Sequence, residues 1–405
     1  MRIGINCQTI LNPASGENAG VGHYTYYLVK NLLRIDKKNQ YVLFFDDLIG
    51  RDSVREIIGK NKNAEARFFS FHKNKLSIPF VYTHLLFSAL VEREKLDVFH
   101  APANIVPLNY KGKAVVTVHD LAIYKHPEWF PENFLKRRVS TKLLVPRAIK
   151  KAYKVIAVSE STKKDIVKLF KTVPAKIKVI YEGVDTVNIP DVEKIVCGTE
   201  EMSCQSDFLE KYKIKKDYIL FLGTIEPRKN LVPMINAFGK VMKKNKALAG
   251  KYQFLIAGAR GWKFVKTFKV IDKVNEELRK IYPDRGVFVK YLGYIPHRDK
   301  LPALAGAAVF VFPSLYEGFG LPVLEAMNAG APVITSKISS LPEVAGQAGI
   351  LINPNNEKDL ERILEKVLKS PSLRKKMSRE GKKRAGEFSW EKMARETLGV
   401  YKSLK

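Results

Sequence analysis

Short apolar runs recur along the chain, separated by longer stretches in which apolar residues return at helical spacing. The runs predict strands at 2–7, 41–45, 97–100, 114–118, 154–158 and 177–181, and at 218–222, 253–257, 287–290, 308–312, 332–335 and 349–352. Several, such as AVVTV, YILFL and AVFVF, are continuously apolar rather than alternating. That pattern belongs to parallel strands covered on both faces. Helical segments between such strands imply βαβ crossovers and doubly wound sheets, so the fold class is α/β. The alternation pauses over 186–213, where a linker is expected. This gives one domain over 1–190 and a second over 207–387. A last helix is expected at about 389–403, capped by Ser389.

A chain of 405 residues is too long for one ordinary core, in keeping with two domains. No apolar run is long enough to span a bilayer, and MRIGINCQTI lacks the pattern of a signal peptide. A cytoplasmic protein is therefore expected. Cys7, Cys197 and Cys204 form no metal-ligand cluster and read as free thiols. Lys and Arg outnumber Asp and Glu by 70 to 41, a formal charge of +29. Such an excess favours polyanionic partners: nucleic acid, anionic lipid or phosphorylated substrates.

The densest chemistry lies in SLYEGFGLPVLEAMNAGAPVI, residues 314–334. A buried strand gives way to a loop holding Glu317, Gly318, Phe319, Gly320 and Leu321, and Pro322 marks a helix start. Glycines there let a ligand approach the backbone, and the helix N-terminus favours an anion. Glu317 and Glu325 can accept hydrogen bonds from sugar or ribose hydroxyls; singly, each reads equally well as a solvated residue or a complement to the helix dipole. A second element is YILFLGTIEPRKNL, 218–231, in which a strand runs into Gly223, then Arg228 and Lys229, with Asn230 placed to cap the next helix. Two cations after a strand can neutralise a diphosphate.

The first half carries weaker signals. Gly20 and Gly22 precede an amphipathic helix with Tyr24, Leu28 and Leu32 on one face; a lone GxG is a weak motif. His119 and Asp120 end the strand 114–118, which aims the histidine at the end of a sheet. Ser159 and Thr162 form a capping group that reads mainly as structure, with Ser159 open to a minor role near phosphate. GARGW (258–262) and GYI (293–295) are placed to frame a nucleotide, although Trp262 reads equally as packing.

Taken together, the 314–334 segment resembles the signature of glycosyltransferase family 4, and the likeness extends over nearly the whole chain to FSWEKMA at 388–394. The resemblance implies the GT-B architecture: two Rossmann-like domains facing a central cleft, with 388–405 crossing back to the N-terminal domain. It implies a retaining transfer from a nucleotide-diphosphate sugar. In it Glu317 and His119 contact the transferred sugar, Glu325 the ribose, and Arg228 and Lys229 the diphosphate. Gly20, Gly22, Gly223 and the backbone of Gly318 to Leu321 lie against donor phosphate and sugar. Two cations at the leaving group make a metal unnecessary, so no metal and no cofactor are expected. EPRKN with HDL-x-x-x-x-HPEW resembles the mannosyltransferases of bacterial surface-polysaccharide assembly. GDP-mannose is the first donor expected, and UDP-glucose or another UDP-hexose the second.

The expected acceptor is a saccharide or lipid-linked saccharide. Residues 133–154 carry Lys136, Arg137, Arg138, Lys142, Arg147, Lys150, Lys151 and Lys154 with no acid, and read as a basic amphipathic helix interrupted by Pro146. Such a helix suits the anionic inner face of a membrane; a solvated face of a core helix has the same pattern. Two rival functions share parts of this reading. A sugar-nucleotide epimerase uses the same fold, but EPRKN and the Glu317–Glu325 loop suit a transferase better. A nucleic-acid-binding protein needs aromatics interleaved with cations or a known module, and neither is seen.

Overall fold

A computed structural model describes residues 1–10, 20–70, 85–104, 106–107, 109–131, 135–184 and 205–405, with side chains of the helix Leu135–Lys151 from Lys142 onward. Most of the expected linker, with Cys197 and Cys204, lies outside the described residues, as do the side chains of Lys136, Arg137 and Arg138. Two compact units are present. The first holds Met1–Lys125, Glu132–Gly183 and Phe388–Lys405, and the second holds His126–Pro131 and Val184–Glu387.

The first unit is built on seven parallel strands: β1 (Arg2–Asn6), β2 (Gln40–Asp46), β3 (Ala64–Phe69), β4 (Val98–Ala101), β5 (Ala114–Val118), β6 (Lys154–Ala157) and β7 (Ile177–Val179). Their order is β3-β2-β1-β4-β5-β6-β7. The chain thus winds one way from β1 to β3 and the other way from β4, leaving a switch point between β1 and β4. Every residue of β4 and β5 is buried, which accounts for their largely apolar sequence; His100 and Thr117, the polar exceptions, bond to each other at 2.8 Å. Phe44, Phe87, Phe99 and Tyr110 pack with Val116 and Ile149 in this core. Strand β3 is the one strand that the apolar pattern does not predict. It sits at the sheet edge and is only half-buried, so it tolerates Glu65 and Arg67; Arg67 pairs with Glu65 and with Glu94.

The second unit holds β8 (Asp217–Leu222), β9 (Tyr252–Ala257), β10 (Val289–Gly293), β11 (Val309–Phe312), β12 (Val333–Ser336) and β13 (Ile350–Ile352), all parallel. The order is β10-β9-β8-β11-β12-β13, so its switch point falls between β8 and β11. Phe221 of β8 stacks on Phe312 of β11 with centroids 5.8 Å apart. This pins together the two strands whose following loops carry EPRKN and EGFG.

Three local expectations change. The helix Leu135–Lys151 continues through Pro146 rather than breaking there. Asn230 takes a left-handed conformation before the helix Leu231–Lys244 and does not cap it; its amide donates to Pro354 O at 2.8 Å. Residues 126–131 group with the second unit, where Trp262 Nε1 donates to Trp129 O at 2.7 Å and the Trp262 ring stacks on Phe130. The Trp262 indole is thereby engaged in packing. The helix Trp390–Lys402, capped by Ser389 onto Lys392 N, belongs to the first unit. Its Trp390 stacks on Tyr27, and its Tyr401 donates to or accepts from His100 Nδ1 at 2.6 Å. No helix among the described residues is long and apolar enough to cross a membrane.

Candidate active site

In doubly wound sheets, ligands bind beyond the carboxyl ends of the strands at the switch point. In the second unit that place is filled by the loops after β8 and β11. The first makes a short turn over Pro227–Lys229, and the second runs from Ser314 to the helix Leu321–Asn328. They are bonded to each other: Leu315 N donates to Arg228 O at 2.8 Å and Ser314 Oγ to the same carbonyl at 3.1 Å.

Between them Glu317 is 8% exposed and fully engaged. Its Oε1 accepts from Lys229 Nζ and from Ser314 Oγ, both at 2.5 Å, and its Oε2 faces Arg228 Nη1 at 3.4 Å. Arg228 is gripped from the other side by Glu226, with Nε 2.9 Å from Oε1. Burial alone would raise the Glu317 pKa. Arg228 and Lys229 outweigh it and hold the carboxyl below its ordinary value. The result is two carboxylates and two cations in a locked, water-poor array. Arg228 is the more accessible cation, with 19% of its side chain exposed against 9% for Lys229. Arg228 is therefore the better exposed of the two, while Lys229 neutralises the buried glutamate.

The rest of the loop is shaped for close approach. Gly320 has φ 118°, and a Cβ there would lie 2.9 Å from Leu341, so only glycine fits. Gly318 and Phe319 are buried beside it, and Leu321 opens the helix, with Pro322 in its first turn. Ser339 Oγ donates to Glu317 O at 2.6 Å, and Ser340 Oγ donates to Phe319 O at 2.6 Å, which fixes the loop backbone. Glu325, one turn into the helix, is paired with Lys300. Gly223 ends β8 and donates its N–H to Ala257 O at 3.0 Å. These second-unit residues from the sequence reading converge on one end of one sheet.

In the first unit, His119 follows β5 and is 9% exposed. Its Nδ1 lies 3.1 Å from Glu182 Oε1 and its Nε2 lies 2.8 Å from Pro102 O, at the end of β4. The Tyr24 ring meets it edge-on at 4.7 Å. Gly20 stands exposed before the helix Val21–Ile35 with φ 64°, and Gly22 is buried in its first turn. Ser159 caps the next helix onto Thr162 N at 3.0 Å, and Thr162 in turn reaches His119 O. Among the described residues no group of three or more His, Cys, Asp or Glu is arranged to hold a metal ion.

Sequence reasoning missed Glu226, Ser314, Ser339, Ser340 and Glu182. Glu226 and Ser314 stand inside the quoted motifs, and an acid two residues before an arginine on a tight turn is a usable signal. Glu182 and the two later serines left none, because their partners lie 63 and about 22 residues away in sequence.

Two parallel α/β units of this strand order have the GT-B architecture. Residues 19–188 match the family model "Glycosyltransferase Family 4" and residues 205–384 the model "Glycosyl transferases group 1". The chain belongs to this glycosyltransferase family and is an enzyme. It is 28% identical to the O-antigen chain mannosyltransferase B of Escherichia coli over 403 residues, covering 95% of this chain and 96% of that one. It is 26% identical to the serotype-specific mannosyltransferase WbdA of Escherichia coli over 390 residues, which is 92% of this chain and under half (44%) of WbdA. Among solved structures, the sucrose-phosphate synthase of Thermosynechococcus elongatus superimposes with a TM-score of 0.71 at 18% identity, covering 100% of this chain and 98% of that one.

Proposed function

We propose that the protein transfers mannose, with retention of configuration, from a nucleotide-diphosphate donor to a saccharide or lipid-linked saccharide in cell-surface polysaccharide assembly. The observation that carries this reading is the Arg228–Lys229–Glu317 array at the switch point of the second sheet. It offers fixed positive charge to a diphosphate beside a carboxylate for sugar hydroxyls. The mannosyltransferase names of the relatives support the sugar; GDP-mannose is the first donor and a UDP-hexose the second.

In this reading the bond from the anomeric carbon to the donor phosphate breaks as the acceptor oxygen bonds to the same face of the sugar. The acceptor proton passes to the departing phosphate oxygen. Arg228 stabilises that phosphate, with Lys229 behind it, in the manner of fixed oxyanion donors. Glu317 and His119 orient the sugar and Glu325 holds the ribose; Gly20, Gly22, Gly223 and the Gly318–Leu321 backbone line the donor. The two cations do for the leaving group what a metal does in other transferases, so the reaction runs without one. The basic stretch 133–154 holds the enzyme at an anionic membrane surface on the cytoplasmic side, and nucleic acid is not a partner.

The test is nucleotide release by the purified protein from a panel of GDP- and UDP-sugars, with EDTA, with and without a lipid-linked acceptor. Release from GDP-mannose that EDTA leaves untouched is expected. A sugar nucleotide isomerised without acceptor would instead make the chain an epimerase, and a requirement for added divalent cation would remove the metal-free mechanism.

A further inference from the structure

Glu182 is a carboxylate only 6% exposed, placed just past β7. Burying a carboxylate is costly unless it is paired and hydrogen-bonded. The side-chain partner found for it among the described residues is His119 Nδ1 at 3.1 Å. Its backbone is also clamped. The next residue, Gly183, lies so close to the start of the last helix that a Cβ there would come 2.2 Å from Trp390 N and 2.4 Å from Ser389 C. The helix Trp390–Lys402 therefore sets where the carboxylate sits, and the carboxylate sets the ring.

The hydrogen-bond inventory of the ring then says how it is held. A neutral imidazole carries one N–H, and a carboxylate can only accept, so Nδ1 carries the hydrogen and Glu182 fixes that tautomer. Nε2 is left facing the Pro102 carbonyl at 2.8 Å, which is also an acceptor. That contact is a hydrogen bond only if the ring gains a second proton.

We infer that Glu182 is a positioning residue that fixes the orientation and tautomer of the His119 ring at the end of β5. This rests on the sugar-contacting role given to His119 above. Because both residues lie in the first unit, while the diphosphate array lies in the second, their loss separates turnover from nucleotide affinity.

The test uses the full-length enzyme and four variants: His119→Ala, Glu182→Ala, Glu182→Gln and the double alanine variant. Nucleotide release from the sugar donor and affinity for the free nucleoside diphosphate are measured on each. Glu182→Ala is expected to lower kcat by roughly ten- to a hundredfold, the scale of a misplaced reacting group, with nucleoside diphosphate affinity unchanged. Glu182→Gln, whose amide oxygen still accepts from Nδ1, keeps most of kcat. The double variant falls no lower than His119→Ala, since the two act through one contact. Should the alanine variant not fold, nitrogen NMR on Glu182→Leu replaces it, with the His119 ring hydrogen expected to leave Nδ1. Wild-type kcat in Glu182→Ala beside an impaired His119→Ala, fully multiplicative losses, or an unmoved tautomer in Glu182→Leu would overturn the positioning role alone. Wild-type kcat in His119→Ala would remove the His119 assignment with it.

Discussion

The first five strands of the N-terminal sheet and those of the C-terminal sheet share the order 3-2-1-4-5, yet their carboxyl ends hold different chemistry. Beyond β8 and β11, two loops bring together Glu226, Arg228, Lys229 and Glu317, every charge matched by an opposite one within about a bond length of contact. Around the ends of β4 and β5 the groups are rings and hydroxyls: His119 between Glu182 and Pro102 O, and, within the sheet, a buried chain from Tyr24 through Thr117 and His100 to Tyr401. One end is built to meet charge, the other to hold rings and hydroxyls in fixed orientation.

The largest effect expected on the charged end is structural. Lys229→Ala leaves buried Glu317 with the Ser314 hydroxyl and, of the two cations, only Arg228 at 3.4 Å, which should cost about 3–5 kcal/mol of stability. Urea unfolding of the variant measures it, and Lys229→Ala at wild-type stability would show that the array is not the locked unit described here. Arg228→Ala removes the more accessible cation and leaves the buried pair intact. Its cost should fall on catalysis, about 2–4 kcal/mol of transition-state stabilisation, and on stability as well, because Glu226, with 4% of its side chain exposed, loses the guanidinium paired with it. Steady-state kinetics beside unfolding curves separate the two substitutions; identical profiles would break the distinction between meeting the anion and neutralising Glu317.

The N-terminal end should show itself through pH. Burial, with His119 adding to it, lowers the His100 pKa to about 3. The unfolded chain therefore binds a proton below about pH 6.5 that the folded one refuses. Stability from this group is full above that pH and is lost as pH falls toward 3. At roughly 1.4 kcal/mol per pH unit, about 2 kcal/mol should go between pH 6.5 and pH 5. Urea midpoints at those two values check it, and His100→Gln should flatten the difference. The smallest effect is that of Tyr401→Phe, which takes the partner from His100 Nδ1 and should cost about 1 kcal/mol, read as a small drop in the thermal midpoint.

The same contrast explains what could be read in the sequence. The parallel core was legible because strands such as β5 and β11 are buried on both faces and largely apolar. Edge strand β3 was not, since half-burial lets Glu65 and Arg67 stand in it. The charged end was legible because its cations and its glutamate stand in two compact motifs with glycines beside them. Glu182 was hidden: a glutamate before a glycine has no periodic or motif signal, and only the packing of β7 against β6 brings it to His119. Pro146 and Asn230 misled for local reasons. A proline inside a helix and an asparagine before one have typical local roles, and here tertiary packing overrode both.

The measurement closest to the central claim, that the array beyond β8 and β11 is where the sugar donor reacts, is nucleotide release by Glu317→Gln. The substitution keeps the size of the side chain and an acceptor for Ser314 and Lys229, and removes the charge. With the donor that the wild-type enzyme turns over, and with unfolding curves showing the variant folded, release should fall by about a hundredfold or more. Release at the wild-type rate from the folded variant would contradict the account.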